Sequence, residues 1–173
     1  MEAALDAFNI DLMDAVVADL GANVGGFTDC LLQRGARKVY AVETGYGVLE
    51  WKLRNDARVT VMERTNALHV DLPEPVQLVT IDVGWTPMRL ILPKAMELLL
   101  PGGRVCALLK PQYEAERSEL EGGVVPHSRV EAVVERTLEA LRESGLAAER
   151  RVDSPITGAG GNREFFIYLT GKG

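Results

Sequence analysis

Three charged residues stand at the ends of apolar, strand-like segments of the sequence. Asp82 follows LVTI, Lys110 follows RVCALL, and Glu164 opens EFFIYL. An amine held beside carboxylates can orient an acceptor hydroxyl and take its proton while a new bond forms to the oxygen. Lost hydration lowers the pKa of such a lysine, and nearby carboxylates raise it. We therefore predict that these three residues are catalytic; the alternative is a partly buried structural ion-pair network.

A glycine-rich turn, DLGANVGGF at residues 19–27, separates the first predicted strand from the first predicted helix. Ligands of open α/β sheets bind beyond the carboxyl ends of the strands, which is where this turn lies. Its spacing is G-x-x-x-G-G and lacks the second glycine of G-x-G-x-x-G, which lets a backbone approach a pyrophosphate. S-adenosylmethionine has no pyrophosphate and fits this turn, with Asp19 facing the ammonium of its methionine part.

Two further polar positions follow strands at the same edge. Glu43 ends the second strand, 22 residues after Gly21, where an acid can accept hydrogen bonds from both ribose hydroxyls. Thr65 and Asn66 follow the third strand and can border the adenine. Alternatively, the turn is only a turn and the acid a solvated cap. The predicted cofactor-binding residues are Asp19, Gly21, Ala22, Asn23, Gly25, Gly26, Phe27, Glu43, Thr44, Thr65, Asn66 and Asp82.

Short apolar segments alternate with helical patterns along the whole chain, which indicates an α/β fold with a doubly wound, mostly parallel sheet. The predicted strands are Ala15–Leu20, Lys38–Glu43, Val59–Met62, Leu78–Val83, Arg104–Leu109, Ala147–Val152 and Glu164–Thr170. The predicted helices are Gly26–Gln33, Val48–Arg54, Pro87–Leu100 and Ser128–Ser144. A tight return through the glycine-rich residues 154–162 favours an antiparallel last strand.

Composition limits the classes of protein that this chain can belong to. The chain has 173 residues, which we assign to one domain, 1–173, and a net charge of −6, which argues against a simple nucleic-acid-binding protein. Residues 1–33 contain no lysine or arginine, whereas residues 34–64 lean basic and form either a basic face or an ordinary solvated surface. The two cysteines have no partners at metal-ligand spacing, so we expect no metal site. The absence of a signal peptide or a long apolar run predicts a cytoplasmic protein without membrane contact.

Several long segments resemble one known family. The segments DLGANVGGFTDCLLQRGARKVYAVETGYGVLEWKLRNDARV, ERTNA, LLKPQYEAER and SPITGAGGNREFFIYL are similar to the TlyA-type hemolysin/RNA methyltransferases, within the FtsJ-like ribose methyltransferases. The resemblance implies a Rossmann-like class I methyltransferase with seven strands, S-adenosylmethionine as cofactor and ribosomal RNA as partner. It also implies a Lys-Asp-Lys-Glu tetrad that methylates ribose 2′-hydroxyls, in which Asp82, Lys110 and Glu164 match the last three members.

The sequence departs from the family pattern at three points. No lysine stands before the segment matching Glu2–Phe8, where the family has its first catalytic lysine, and no N-terminal S4-type RNA-binding domain is present. After Asp82 the chain reads Val-Gly-Trp-Thr-Pro, so Trp85 either stacks on a base or belongs to the core. We predict ribose 2′-O-methylation of RNA. The alternatives are a catalytically impaired S-adenosylmethionine-binding scaffold or regulator, and a base N-methyltransferase, since DVGW loosely resembles DPPW.

Overall fold

The structure is a computed structural model that describes residues 1–171, so the last two residues of the predicted domain, Lys172 and Gly173, lie outside the described part. Seven strands form one sheet, in the order β3-β2-β1-β4-β5-β7-β6. The strands are β1 Val16–Leu20, β2 Lys38–Val42, β3 Val59–Met62, β4 Val76–Ile81, β5 Leu99–Leu109, β6 Arg150–Asp153 and β7 Phe165–Thr170.

Helices connect most of the strands and cover both faces of the sheet. They are α1 Glu2–Phe8, α2 Gly26–Gln33, α3 Trp51–Arg54, α4 Met88–Glu97, α5 Pro111–Glu114 and α6 His127–Glu143. Strands β1 to β5 pair in parallel, while β7 runs antiparallel to both of its neighbours. The predicted doubly wound sheet with an antiparallel last strand is therefore confirmed.

Two hydrophobic clusters lie on opposite faces of the sheet. Strand β1 contributes side chains to both clusters, because Val16 and Leu20 point to one face of the sheet and Val17 points to the other. One cluster contains the buried faces of α4 and α6, and the second contains those of α1, α2 and α3. Burial on both faces explains why the central strands are mainly apolar without alternation.

The predicted boundaries differ from the observed ones at the ends of several elements. The predicted helix to Leu100 ends at Glu97, because the chain turns at Leu98 and Leu99 already pairs with Val76. Strand β5 therefore begins five residues before the predicted start at Arg104. Strand β4 covers Val76–Ile81 in place of the predicted 78–83, and β6 begins at Arg150, three residues after its predicted start. Helix α1 has no counterpart among the predicted elements.

Candidate functional site

The three predicted catalytic residues meet at the carboxyl edge of the sheet. Asp82 follows β4, Lys110 follows β5, and Glu164 immediately precedes β7, whose antiparallel direction brings its first residue to this edge. The Lys110 Nζ lies 2.6 Å from Asp82 Oδ1. Glu164 accepts a hydrogen bond of 3.3 Å from the Gln112 side-chain amide. The sheet topology thus collects an ammonium and two carboxyl groups from three separate strands.

The Glu164 carboxyl group and the Oδ1 atom of Asp82 are poorly solvated. Burial raises the pKa of Glu164, the Asp82 charge raises it further, and the Gln112 hydrogen bond and the Lys110 charge lower it in part. Asp82 Oδ1 is buried and has no hydrogen bond of good geometry among the described residues, so the Lys110 charge compensates it. Carboxyl groups whose burial is opposed by a nearby positive charge are typical of sites where protons are transferred.

A first cavity of about 320 Å³ opens beyond the ends of β1, β2 and β4. Its lining includes seven of the predicted cofactor-binding residues: Gly21, Asn23, Glu43, Thr44, Thr65, Asn66 and Asp82. Gly21 has a φ of +87°, and a Cβ on it would lie 2.5 Å from the backbone oxygen of Asp82. Glycine is therefore required there for the two loops to meet below the cavity.

Glu43 is held as an acceptor at the wall of this cavity. Its carboxylate receives the backbone N–H of Gly45 at 2.8 Å and of Asn23 at 2.9 Å, and the Thr44 hydroxyl at 3.0 Å. Burial by itself would raise the pKa of Glu43, but these hydrogen bonds outweigh it and hold the pKa below its ordinary value. Glu43 is thus a fixed, ionised carboxylate that suits a ligand carrying hydroxyl groups.

A second cavity of about 500 Å³ lies on the other side of the catalytic cluster. Asp82 and Lys110 line both cavities, whereas Glu164 lines only the second. The second cavity is also bordered by Phe27, by the beginning of the chain at 1–3 and by the loop 154–159. Two ligands that occupied these cavities would therefore meet at the Asp82–Lys110 pair.

Comparison with known proteins shows the family of this chain. A model of the FtsJ-like methyltransferase family matches residues 1–170. The chain belongs to the FtsJ-like methyltransferases. YqxC of Bacillus subtilis is 43% identical over 98% of this chain and 62% of its own length. The 16S/23S rRNA (cytidine-2′-O)-methyltransferase TlyA of Mycobacterium tuberculosis is 39% identical over 96% of this chain and 64% of its own length. The chain thus spans less than two thirds of these FtsJ-like relatives.

Solved structures place this FtsJ-like chain among similar folds. A Streptococcus thermophilus protein named as a hemolysin superposes with a TM-score of 0.93 at 39% identity, covering 99% of this chain and 64% of the other. An S-adenosylmethionine-dependent methyltransferase of Mesorhizobium loti gives 0.69 at 18% identity over 97% and 96% of the two chains, which shows a shared fold. No helix in residues 1–171 is long and apolar enough to cross a membrane.

The other five predicted cofactor-binding residues do not line the first cavity of this FtsJ-like site. Asp19 is fully buried and accepts hydrogen bonds from Thr28 at 2.7 Å and from Thr80 at 2.9 Å. Its carboxylate faces these hydroxyls, which leaves it a positioning role between β1, α2 and β4. The sequence alone does not show which way Asp19 points, because an acid near the end of a strand can point into the sheet as readily as towards a ligand.

The remaining four residues have different neighbours. Ala22 is buried in the core, and a Cβ on Gly25 would overlap Leu53 of α3, so Gly25 serves packing. Gly26 opens onto a separate surface hollow. Phe27 lies with its ring centroid 6.0 Å from that of Phe166 and borders the second cavity. None of these four residues lines the first cavity.

Sequence reasoning missed several lining residues. Val83, Gly84 and Thr86 line the first cavity, and their position directly after β4 was the available signal. Gln112 had no signal, because its partner Glu164 is 52 residues away in the sequence. Trp85 is 87% exposed, so the interpretation of it as a core residue is wrong. Its ring lies 5.2 Å from that of Tyr113, at the rim of the site.

The basic segment 34–64 does not form an unpaired basic face. Five of its seven lysines and arginines lie in ion pairs with acidic side chains: Arg34, Lys38, Lys52, Arg54 and Arg58. Arg64 instead stacks on Tyr46, at 4.3 Å from the ring centroid. The structure thus favours the ordinary solvated surface over the basic face.

Proposed function

We propose that this chain is an S-adenosylmethionine-dependent methyltransferase domain that methylates a ribose 2′-hydroxyl of ribosomal RNA in the cytoplasm. The observation that carries the proposal is that Asp82 and Lys110 line both cavities, so one pair of residues contacts the space for a methyl donor and the space for an acceptor. Family membership and the name of the Mycobacterium tuberculosis relative support the same reaction.

The donor set of the first cavity suits S-adenosylmethionine. Glu43 offers a fixed carboxylate for the two ribose hydroxyls, and Thr65 and Asn66 border the space beyond it. The volume of about 320 Å³ lies within the usual range for sites that bind small molecules. The Asp19 carboxylate fixes the turn after β1 through its hydrogen bond from Thr28. Gly21 lets this turn lie close to the backbone of Asp82, below the first cavity.

Lys110, Asp82 and Glu164 have different roles in the proposed reaction. When bound, S-adenosylmethionine supplies an electrophilic methyl group. Lys110 orients the acceptor hydroxyl at the junction of the cavities, and Asp82 holds the lysine ammonium at 2.6 Å. Lys110 would pass a proton to Asp82 and take the proton of the acceptor hydroxyl, while the bond from the oxygen to the methyl carbon forms and the bond from that carbon to the donor sulfur breaks. Glu164, fixed by Gln112, adds a carboxyl group on the acceptor side.

Trp85 supports an RNA acceptor. Its indole is 87% exposed beside the site, where a base adjoining the target ribose can stack on it. The base N-methyltransferase alternative is less well supported, because the segment DVGW at residues 82–85 lacks both prolines of the DPPW loop. The proposed partner is therefore ribosomal RNA or a ribosomal subunit, with no metal and no membrane.

Calorimetric titration with S-adenosylmethionine and S-adenosylhomocysteine is the first test of this proposal. We expect one-to-one binding that Glu43→Ala weakens by roughly tenfold to a hundredfold, as for loss of a hydrogen bond to a charged group. Glu50→Ala is the matched control, since Glu50 is exposed and outside the cavity lining, and should bind as the parent does. No binding by the parent chain would overturn the proposal.

Methyl transfer to ribosomal subunits and to naked ribosomal RNA tests the acceptor. Mass spectrometry of the digested nucleosides should show a methyl group on ribose. A methyl group on a base would favour the N-methyltransferase. Cofactor binding without transfer to either substrate would favour the scaffold or regulator.

A further inference from the structure

Two segments that follow neighbouring strands contact each other side by side at the first cavity. The segment 82–88 connects β4 to α4, and the segment 110–114 contains Lys110 and α5. Three contacts join the two segments, in the same order along each. They are the Asp82–Lys110 ion pair, the Trp85–Tyr113 ring contact and a hydrogen bond between Met88 and Glu114. The first contact belongs to the catalytic cluster, whereas the third has no role in the mechanism above.

Glu114 completes the start of helix α4. The residue before the helix is Pro87, which provides no side-chain cap, so the backbone N–H of Met88 lacks a partner within its own element. The Glu114 Oε1 accepts this N–H at 2.7 Å. A carboxylate on a helix N-terminus also meets the positive end of the helix dipole. Glu114 therefore anchors the point where the 82–88 segment enters α4.

The anchored segment forms one wall of the first cavity. Asp82, Val83, Gly84 and Thr86 line it, together with Ile91 of α4, whereas Glu114 lines neither the first nor the second cavity. The backbone within the segment is unusual, because Trp85 has a φ of +59°, a left-handed conformation that non-glycine residues rarely adopt. A conformation of this kind persists only where the surrounding contacts hold it.

We propose that Glu114 is a positioning residue that keeps the 82–88 segment in the shape that closes the first cavity around the cofactor, so that Glu114 controls cofactor affinity without contacting the cofactor. This inference rests on the proposed function only for the identity of the ligand. The anchoring itself follows from the contacts of α5 with the start of α4.

The environment of Glu114 agrees with an anchoring role. Burial raises the pKa of Glu114 above its ordinary value, while the Met88 N–H and the charge of Arg89 lower it in part. The side chain has thus given up water to reach the helix start. A residue that served only solubility would keep its hydration.

Two substitutions separate anchoring from general stability. Glu114→Ala removes the acceptor and should raise the dissociation constant for S-adenosylhomocysteine about tenfold, which corresponds to about 1.4 kcal/mol. Glu114→Gln retains a side-chain oxygen that can accept the Met88 N–H, and should restore the dissociation constant to within about threefold of the parent value. Calorimetry gives both constants, and thermal unfolding without ligand shows whether each variant is folded.

Hydrogen exchange provides a readout that needs no cofactor. The amide of Met88 and those of the 82–88 segment should exchange faster in Glu114→Ala than in the parent, with the Gln variant close to the parent. Unchanged exchange in the Ala variant, or unchanged affinity in a folded Ala variant, contradicts the inference. If the parent protein binds no cofactor but the exchange pattern is as expected, the proposed function fails and the anchoring stands.

Discussion

The Lys110 ammonium lies between two carboxyl groups of different character. Asp82 contacts it directly at 2.6 Å, and the charge of Lys110 also lowers the pKa of the more distant Glu164. Because Asp82 Oδ1 has no hydrogen bond of good geometry among the described residues, loss of Lys110 would leave this buried oxygen without its compensating charge. In the proposed mechanism, Lys110 therefore affects both the electrostatics of the cluster and the contact with the acceptor.

Lys110→Ala should reduce methyl transfer by roughly a hundredfold to ten-thousandfold, as for removal of a positioned proton-transfer group. Cofactor binding should change little, because Glu43 and the loops beside it remain. Transfer assays and calorimetry on the same preparation measure the two effects. Lys94→Ala is the control, since Lys94 pairs with Asp71 and Glu97 outside the site. Full activity in Lys110→Ala would remove Lys110 from the mechanism.

In the loop before β7, the position of Gly158 has no space for a larger side chain. Gly158 has an ordinary φ of −76°, yet a Cβ on it would overlap the Glu164 carboxylate. Glycine is needed there for space and not for backbone freedom. Residues 154–159 of this loop, which runs to Glu164, border the second cavity, so the path of the loop affects where Glu164 points.

Gly158→Ala should therefore lower methyl transfer by about a hundredfold, because a displacement of about 1 Å at a reacting group has an effect of that size. Gly161→Ala in the same loop is the matched control. It adds a Cβ at a φ of +85° that meets no atom within 4 Å, so it strains the backbone without touching Glu164. Transfer rates and unfolding midpoints of both variants distinguish displacement of Glu164 from a general loss of loop stability. Equal loss of activity in the two variants would mean that loop stability, and not the Glu164 position, is responsible.

For the molecule as a whole, stability is tied to pH through Asp19. Burial raises the pKa of Asp19 to about 6, and the hydrogen bonds from Thr28 and Thr80 offset only part of that rise. The ordinary value is 3.8, so the folded state keeps a proton that the unfolded state loses between these two pH values. The contribution of Asp19 to the free energy of unfolding thus falls as the pH rises through this window.

The stability difference between the parent and Asp19→Asn isolates this effect. From pH 4 to pH 7 the parent should lose about 2 kcal/mol relative to the variant, because one pKa unit corresponds to about 1.4 kcal/mol and part of the effect is already lost at pH 4. Urea unfolding at four pH values measures the difference. Other carboxyl groups, such as Glu63 and Glu119 with pKa values lowered to about 2, titrate alike in both proteins and cancel. A difference that stays constant across this pH range would show that Asp19 does not titrate there.

Sequence periodicity alone determined the order and type of most elements and the edge of the sheet where the site lies. Buried parallel strands are continuous apolar runs, and the polar residues that end them, Asp82, Lys110 and Glu43, must appear at one edge. Glycine spacing in the turn after β1 also argued against a cofactor that contains a pyrophosphate. These features are local in the chain, so one sequence is enough to read them.

Tertiary structure decided which residues at that edge face the cavities. Asp19 turned inwards because Thr28 and Thr80 surround it, Gln112 reached Glu164 across 52 residues, and Glu114 reached Met88 across 26. No local pattern encodes such contacts, since each depends on how two separate elements pack. The direction of a side chain at the end of a strand is fixed only when its neighbours from distant parts of the chain are in place.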